Sequence, residues 1–168
     1  VGGAENAPLT IETTTNFYNP EIGSNYGQDI NPLFFGVFPE LQYDSWFTIG
    51  SEDTNGGGGV SSVGMESYYA GFNSGTGLTV NTFLGASWFV VPGSNPDAIA
   101  GDDNKVLVAQ LTTDGVVNVV FNFQYDDEAS NSYNTIGLTA TFPEVPSGCM
   151  DATACNFDAA AEVSDGNC

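Results

Sequence analysis

Along much of this chain apolar and polar residues alternate with a period of two, the pattern of strands that bury one face. From Leu9 to Phe17 the apolar positions are Leu9, Ile11 and Phe17, and Thr10, Glu12, Thr14 and Asn16 are polar. The pattern is strongest from Lys105 to Tyr125, where KVLVAQLTT and VVNVVFNFQY flank Asp114-Gly115. Asp-Gly supplies the two residues of positive φ that a tight turn needs, so the two arms predict a hairpin. In its second arm Val117, Val119, Phe121, Phe123 and Tyr125 share one face, and Asn118, Asn122 and Gln124 the other. A last strand is predicted at Thr135 to Phe142, with Ile136, Leu138, Ala140 and Phe142 inward and Thr135, Thr139 and Thr141 outward.

Phe34 to Gly50, FFGVFPELQYDSWFTIG, is the densest aromatic segment and is expected to form the core of the sheet. Pro39 should break an extended run ahead of a strand at about Tyr43 to Ile49. Further strands are expected at Val60 to Phe72 and Leu78 to Val91, with Gly85 as a bulge or bend. Gly56 to Gly59 mark a flexible loop, and no Lys-Ser or Lys-Thr follows to make it a phosphate loop. Some seven strands between Gly, Asn and Asp loops, without a convincing amphipathic helix, predict an all-β fold. The expected architecture is an antiparallel β-sandwich of jelly-roll or immunoglobulin-like type. Pro143 and Pro146 stiffen a linker, dividing the chain into a β-sandwich domain, 1–146, and a small C-terminal module, 147–168.

Charge changes what this body can bind. The 168 residues carry 21 Asp and Glu against one Lys, with no Arg or His, for a formal charge of −20. Nucleic acid and anionic membrane surfaces are disfavoured partners, and no stretch of about 18 apolar residues exists to span a bilayer. Missing bases also remove histidine general bases, Ser-His and Cys-His pairs and guanidinium clamps, so an enzyme is not expected. Glu40 and Asp44 could be imagined as a glycosidase pair, but a turn or strand-end role bonding to backbone suits Asp44 better. Trp46, Trp88, Tyr68 and Tyr69 could form a sugar-stacking platform, although both tryptophans lie in apolar segments that favour core packing. Disorder, the common state of acidic chains, is opposed by 12% aromatic and 41% hydrophobic residues. Val1 is not an initiator methionine, which fits a processed form or a piece of a longer protein.

All three cysteines, Cys149, Cys155 and Cys168, fall in the last segment, GCMDATACNFDAAAEVSDGNC. So short a module cannot bury enough surface to fold alone, so a disulfide or a metal should staple it. Without His or a CxxC pair, the cysteines read as disulfide chemistry of an oxidising compartment. The odd cysteine is a free thiol, or pairs with another chain or with a cysteine beyond residue 168. Asp151, Asn156, Asp158 and Asp165, with Asn167 as a weaker fifth, offer the hard oxygens that calcium wants. Weaker candidates are Asp102, Asp103, Asp126 and Asp127, where solvated charge is the competing reading. For the tail, the competing reading is a solvated acidic segment held by disulfides alone.

The segment resembles the cysteine and aspartate repeat of secreted and surface proteins of marine and Bacteroidetes-like bacteria, GC-x-D-xxA-x-N-(Tyr or Phe)-D-xxA-xxx-DG-x-C. The positions that match are Gly148, Cys149, Asp151, Ala154, Asn156, Phe157, Asp158, Ala161, Asp165, Gly166 and Cys168, about an eighth of the chain. The resemblance implies an extracellular module, often in arrays, similar in flavour to the calcium-binding type 3 repeats of thrombospondin; a single copy is present here. LTIETTTNFYN, PELQYDSWFTIG and VLVAQLTTDG in the body resemble phrases of large uncharacterised secreted proteins of marine microbes, which implies a habitat and no activity. Together these readings predict an extracellular or cell-surface structural or adhesive protein, a self-assembling surface-layer, fibre or filament subunit with a calcium-stabilised tail. Its partner would be a homo-oligomer or polymer, with Leu9 to Phe17 as a strand lent to a neighbouring copy. The alternative is a calcium-dependent carbohydrate-binding module that takes a polysaccharide.

Overall fold

The computed structural model describes residues 1–143, 147–161, 163–164 and 166–168. Its principal sheet has four antiparallel strands in the order β5-β2-β8-β9, comprising β2 (Leu9–Thr13), β5 (Leu78–Val80), β8 (Val117–Asp126) and β9 (Ser132–Phe142). A second antiparallel sheet, ordered β1-β6-β4, joins β1 (Gly2–Gly3), β4 (Ser61–Val63) and β6 (Ala86–Phe89). A short pair, β3 (Trp46–Phe47) with β7 (Ala109–Gln110), and a helix, α1 (Glu66–Asn73), complete the second layer. The fold is the expected sandwich of antiparallel sheets, with one helix added.

Alternation places the core. Leu9 and Ile11 of β2, Leu78 and Val80 of β5, and Val117, Val119 and Phe121 of β8 are all buried on one face of the principal sheet. They meet Phe47, Val60, Met65, Phe72, Ala86 and Trp88 from the second layer. Phe47 stacks on Phe72 and Trp88 with ring centroids 4.6 and 4.9 Å apart, in the tilted geometries that aromatic quadrupoles favour. The Trp88 indole donates to the Thr48 carbonyl at 3.0 Å, so its one polar group is satisfied where it is fully buried. Both tryptophans are core residues, as their apolar settings imply.

The chain crosses between layers at two adjacent corners, Ala4 to Ala7 and Asn81 to Gly85, tied by Glu5 N–H to the Thr82 carbonyl at 3.0 Å. Gly85 has φ +68°, and a Cβ there would lie 2.5 Å from the Gly3 carbonyl, so the expected bend needs glycine for conformation and for space. Asn122 fastens the first corner to the sheet. Its amide donates to the Gly2 and Ala7 carbonyls, both at 2.9 Å, and its carbonyl accepts Gly137 N–H at 2.9 Å.

Several expected elements form differently. No hairpin joins Lys105–Thr113 to Val117–Tyr125: β7 pairs with β3, and β8 pairs with β2 and β9. Asp114-Gly115 instead turns the chain from one layer to the other, held by Thr15 Oγ1 to Asp114 Oδ1 at 2.6 Å. Residues 66–73 are helical rather than extended, because Met65, Tyr68, Tyr69 and Phe72 recur at helical spacing and turn Met65 and Phe72 into the core. Phe34 to Phe38 lie outside the core, where the chain runs from a 3-10 turn at Pro32–Phe34 to another at Pro39–Tyr43, each opened by the fixed φ of proline. Of the apolar and aromatic residues in that segment, Leu41, Trp46 and Phe47 are buried. Gly56 to Gly59 form a packed loop: a Cβ on any of them would come within 3 Å of Ser51, Pro96, Asn95 or Gln28. Asp97 anchors it, accepting Gly57 N–H at 2.6 Å and Ser51 Oγ at 2.9 Å.

Candidate assembly surface and C-terminal module

In the module, Cys149 pairs with Cys168 across 19 residues, and Cys155 is free and exposed. A short parallel pair forms between β10 (Ser147–Gly148) and β11 (Val163–Ser164), and a parallel bridge joins Cys149 to Phe157. Asp158 N–H donates to the Cys149 carbonyl at 2.9 Å. A Cβ on Gly148 would sit 2.9 Å from that of Asp158, so glycine permits the approach.

The candidate calcium ligands are placed as follows. Asp151 Oδ1 accepts Thr153 N–H at 2.9 Å and its hydroxyl at 2.7 Å, bonds that hold the carboxyl below its ordinary range. Asp158 Oδ1 accepts Ala160 N–H at 2.9 Å, and the Asn156 amide donates to the Asn167 carbonyl. Asp165 lies outside the described residues, as does Pro146 with the expected domain boundary. Among the described residues no three acidic or cysteine side chains gather into a metal-holding group. The donors are hard oxygens of the kind calcium takes, and the described part of the set amounts to two carboxylates and two asparagines.

The weaker candidates sit elsewhere, Asp102 and Asp103 in one loop and Asp126 and Asp127 at the β8–β9 turn, and bond to neighbours within a few residues. Asp103 Oδ1 accepts Lys105 N–H at 3.3 Å, and the Asp102 carbonyl accepts the Asn104 amide at 3.4 Å. Asp127 organises the β8–β9 turn, accepting Ala129 and Asn131 N–H at 2.9 and 2.8 Å and the Tyr133 hydroxyl at 3.1 Å. Those bonds lower its pKa. Asp126 accepts the Ser132 hydroxyl at 2.5 Å.

Asp44 behaves differently from these exposed acids. It is buried at the end of a 3-10 turn, where its Oδ2 accepts Ser24 N–H at 2.6 Å. Burial raises its pKa to about 6 against the lowering pull of the Ser24 and Ser45 N–H groups. The close approach of Gly23, whose Cβ would fall 2.4 Å from Oδ2, closes the site. The backbone-bonding role expected of Asp44 is the one it has.

Large apolar side chains on the surface are the feature that alternation did not reveal. Leu33 is 87% exposed, and Phe34, Val37, Phe38 and Tyr43 of the same segment are exposed with it. Phe83 and Leu84, at the tip joining β5 to β6, are nearly bare, Leu84 at 92%. A third row runs along β9. Register pairs Phe142 with Val117, Ala140 with Val119 and Leu138 with Phe121, so these residues share the core face of the sheet. The second layer stops short of β9, however, and Leu138 and Phe142 remain 50% and 51% exposed. Ile136 does not continue the row. A bulge at Ile136-Gly137, with Gly137 at φ +71°, shifts the register so that Thr135 stands opposite Phe123 on that face.

Leu9–Thr13, the core of the expected donor strand, is not free to be lent. It pairs on both sides within its own chain, with β5 and β8, and Leu9 and Ile11 are fully buried. No helix of the described residues is long and apolar enough to cross a membrane. The disulfide is compatible with an extracellular location.

Compared with protein families, curated proteins and solved structures, the chain matches none.

Proposed function

We propose that this chain is an extracellular structural or adhesive protein, a self-assembling subunit of a surface layer, fibre or filament, with a tail stabilised by calcium. The observation that carries the reading is the set of separate exposed apolar surfaces, Leu33 to Phe38, Phe83-Leu84 and the β9 row, on a chain of charge −20. A chain bearing so much like charge is kept soluble by repulsion, so its exposed Leu and Phe clusters are best explained as contact surfaces. Screening decides when they meet. The Debye length is about 10 Å at 0.1 M salt and about 3 Å at 1 M, so copies approach in concentrated salt or with divalent cations.

Negative-stain electron microscopy of the purified chain, in about 0.5 M salt with and without calcium, tests the reading. Regular filaments, sheets or discrete multimers are expected; isolated particles of single-chain size under every condition would refute it. A second reading, binding to a polysaccharide, is favoured by a shallow groove of about 630 Å³ lined by Tyr18, Tyr43, Thr15, Thr113 and Asp114, with both tyrosine rings part-exposed. Saccharide retention on a glycan array, lost on replacing Tyr43 by alanine, would favour that reading.

A further inference from the structure

Strand β9 is the long free edge of the principal sheet. Among the described residues it pairs with β8 on one side and with no strand on the other. Proteins blunt such edges with Lys or Pro, by keeping them short, or by covering them. Here the edge runs for eleven residues, SYNTIGLTATF, without one charged residue or proline, in a chain with 22 charged side chains. Its single blunting device is the bulge at Ile136-Gly137. All of it is exposed except Thr135 and Ala140, which are half-buried.

The geometry points to β9 of a second copy as the occupant of this edge, paired antiparallel about a two-fold axis to give one continuous sheet of eight strands. The inference rests on the assembly reading and specifies its contact. Self-complementarity selects a copy as partner: β9 carries no charged side chain, so two copies can pair along it without setting acids of the strand itself side by side. Charge selects the direction. Asp126 at the end of β8 and Asp127 and Glu128 in the turn that follows stand at the start of β9, and parallel pairing would set these acidic turns of the two copies side by side. Antiparallel pairing puts them at opposite ends of a strand about 37 Å long, beyond the roughly 10 Å Debye length at 0.1 M salt. Length selects β9 over the other edge of the sheet: β5 offers three residues, so continuation from β9 to β5 of the next copy would leave most of β9 unpaired. The edge therefore makes a closed pair, and any filament must grow through a second surface such as Leu33 to Phe38.

Size sets the strength. A strip about 37 Å by about 10 Å covers roughly 400 Å² per copy, half of the roughly 800 Å² that a stable interface buries on each partner. A two-fold axis normal to the sheet keeps Leu138 and Phe142 of both copies on one face, where each row covers the flank of the other. The contact should be weak, forming between micromolar and millimolar concentration.

Sedimentation velocity of the full chain in about 0.5 M salt measures it, alongside Leu138→Lys and a control, Ile99→Lys, which makes the same charge change at an exposed position outside the three apolar surfaces. Leu138→Lys lowers the net negative charge, so repulsion alone would strengthen association, whereas a charge on a pairing edge should weaken it at least ten-fold. The control should pair as the wild type does. Amide hydrogen exchange of the wild type guards against misfolding of the variant: exchange along β9 should slow as concentration rises. If the wild type associates while Leu138→Lys does so equally and β9 exchange is unchanged, β9 pairing is wrong and assembly stands. If the wild type stays a 17.6 kDa particle up to millimolar concentration, both fall.

Discussion

Asp44 is the residue through which pH reaches the fold. Its carboxyl is buried with a pKa of about 6, well above the 3.8 of an exposed aspartate, so the folded chain holds a proton that the unfolded chain releases. Between those values the native state binds more protons than the unfolded state, and stability falls as pH rises. Melting temperature should therefore increase from pH 7 to pH 5, and Asp44→Asn should flatten the increase while keeping an acceptor for Ser24 N–H. An identical pH profile in the variant would remove Asp44 from the account. Asp127 and Asp151 act in the opposite sense and lower down, since their depressed pKa values add stability that is lost as pH falls through them. The strand-end role of Asp44 was legible from its place beside Trp46, but its burial was not. Burial depends on Gly23 and Ser24, which pack against it from twenty residues away.

At the scale of elements, the C-terminal module depends most on its staple. Closing a loop of 19 residues stabilises by about 3 kcal/mol on the chain-entropy account. Replacing Cys149 and Cys168 together by serine should speed proteolysis within residues 149–168 at least ten-fold. If calcium is bound through Asp151, Asn156 and Asp158, chelation should do the same near Asp158 with the disulfide intact, or should lower the melting temperature. No change in either measurement on chelation would leave the disulfide as the only staple. Strand positions were largely readable: β2, β8 and β9 lie where alternation put them, and Val117, Val119 and Phe121 face the core. Pairing was not readable. Asp114-Gly115 has the chemistry of a hairpin turn, but β8 already has β2 and β9 as its neighbours, so the turn carries the chain between layers instead. Helix α1 was hidden for a different reason. Tyr-rich and Gly-containing, ESYYAGFN has weak helix propensity, and only the Met65 to Phe72 spacing signals it.

For the whole molecule, the sandwich followed from period and composition, whereas the candidate contact surfaces did not. Aromatic density places Phe34 to Gly50 in the core, yet Leu33, Phe34 and Val37 are exposed because two prolines wind their segment into tight turns over the surface. Leu138 and Phe142 point to the core side, as alternation predicts, but the layer opposite ends before it reaches them. A single sequence shows which face of a strand is apolar; how far the opposing layer extends is a property of the folded whole. Self-assembly through these surfaces is the central claim, and static light scattering as concentration is raised at about 0.5 M salt tests it most directly. The weight-average mass should climb from 17.6 kDa toward twice that value and beyond, and should fall back when salt is removed. A mass that stays at 17.6 kDa across the whole range, with and without calcium, would contradict the account.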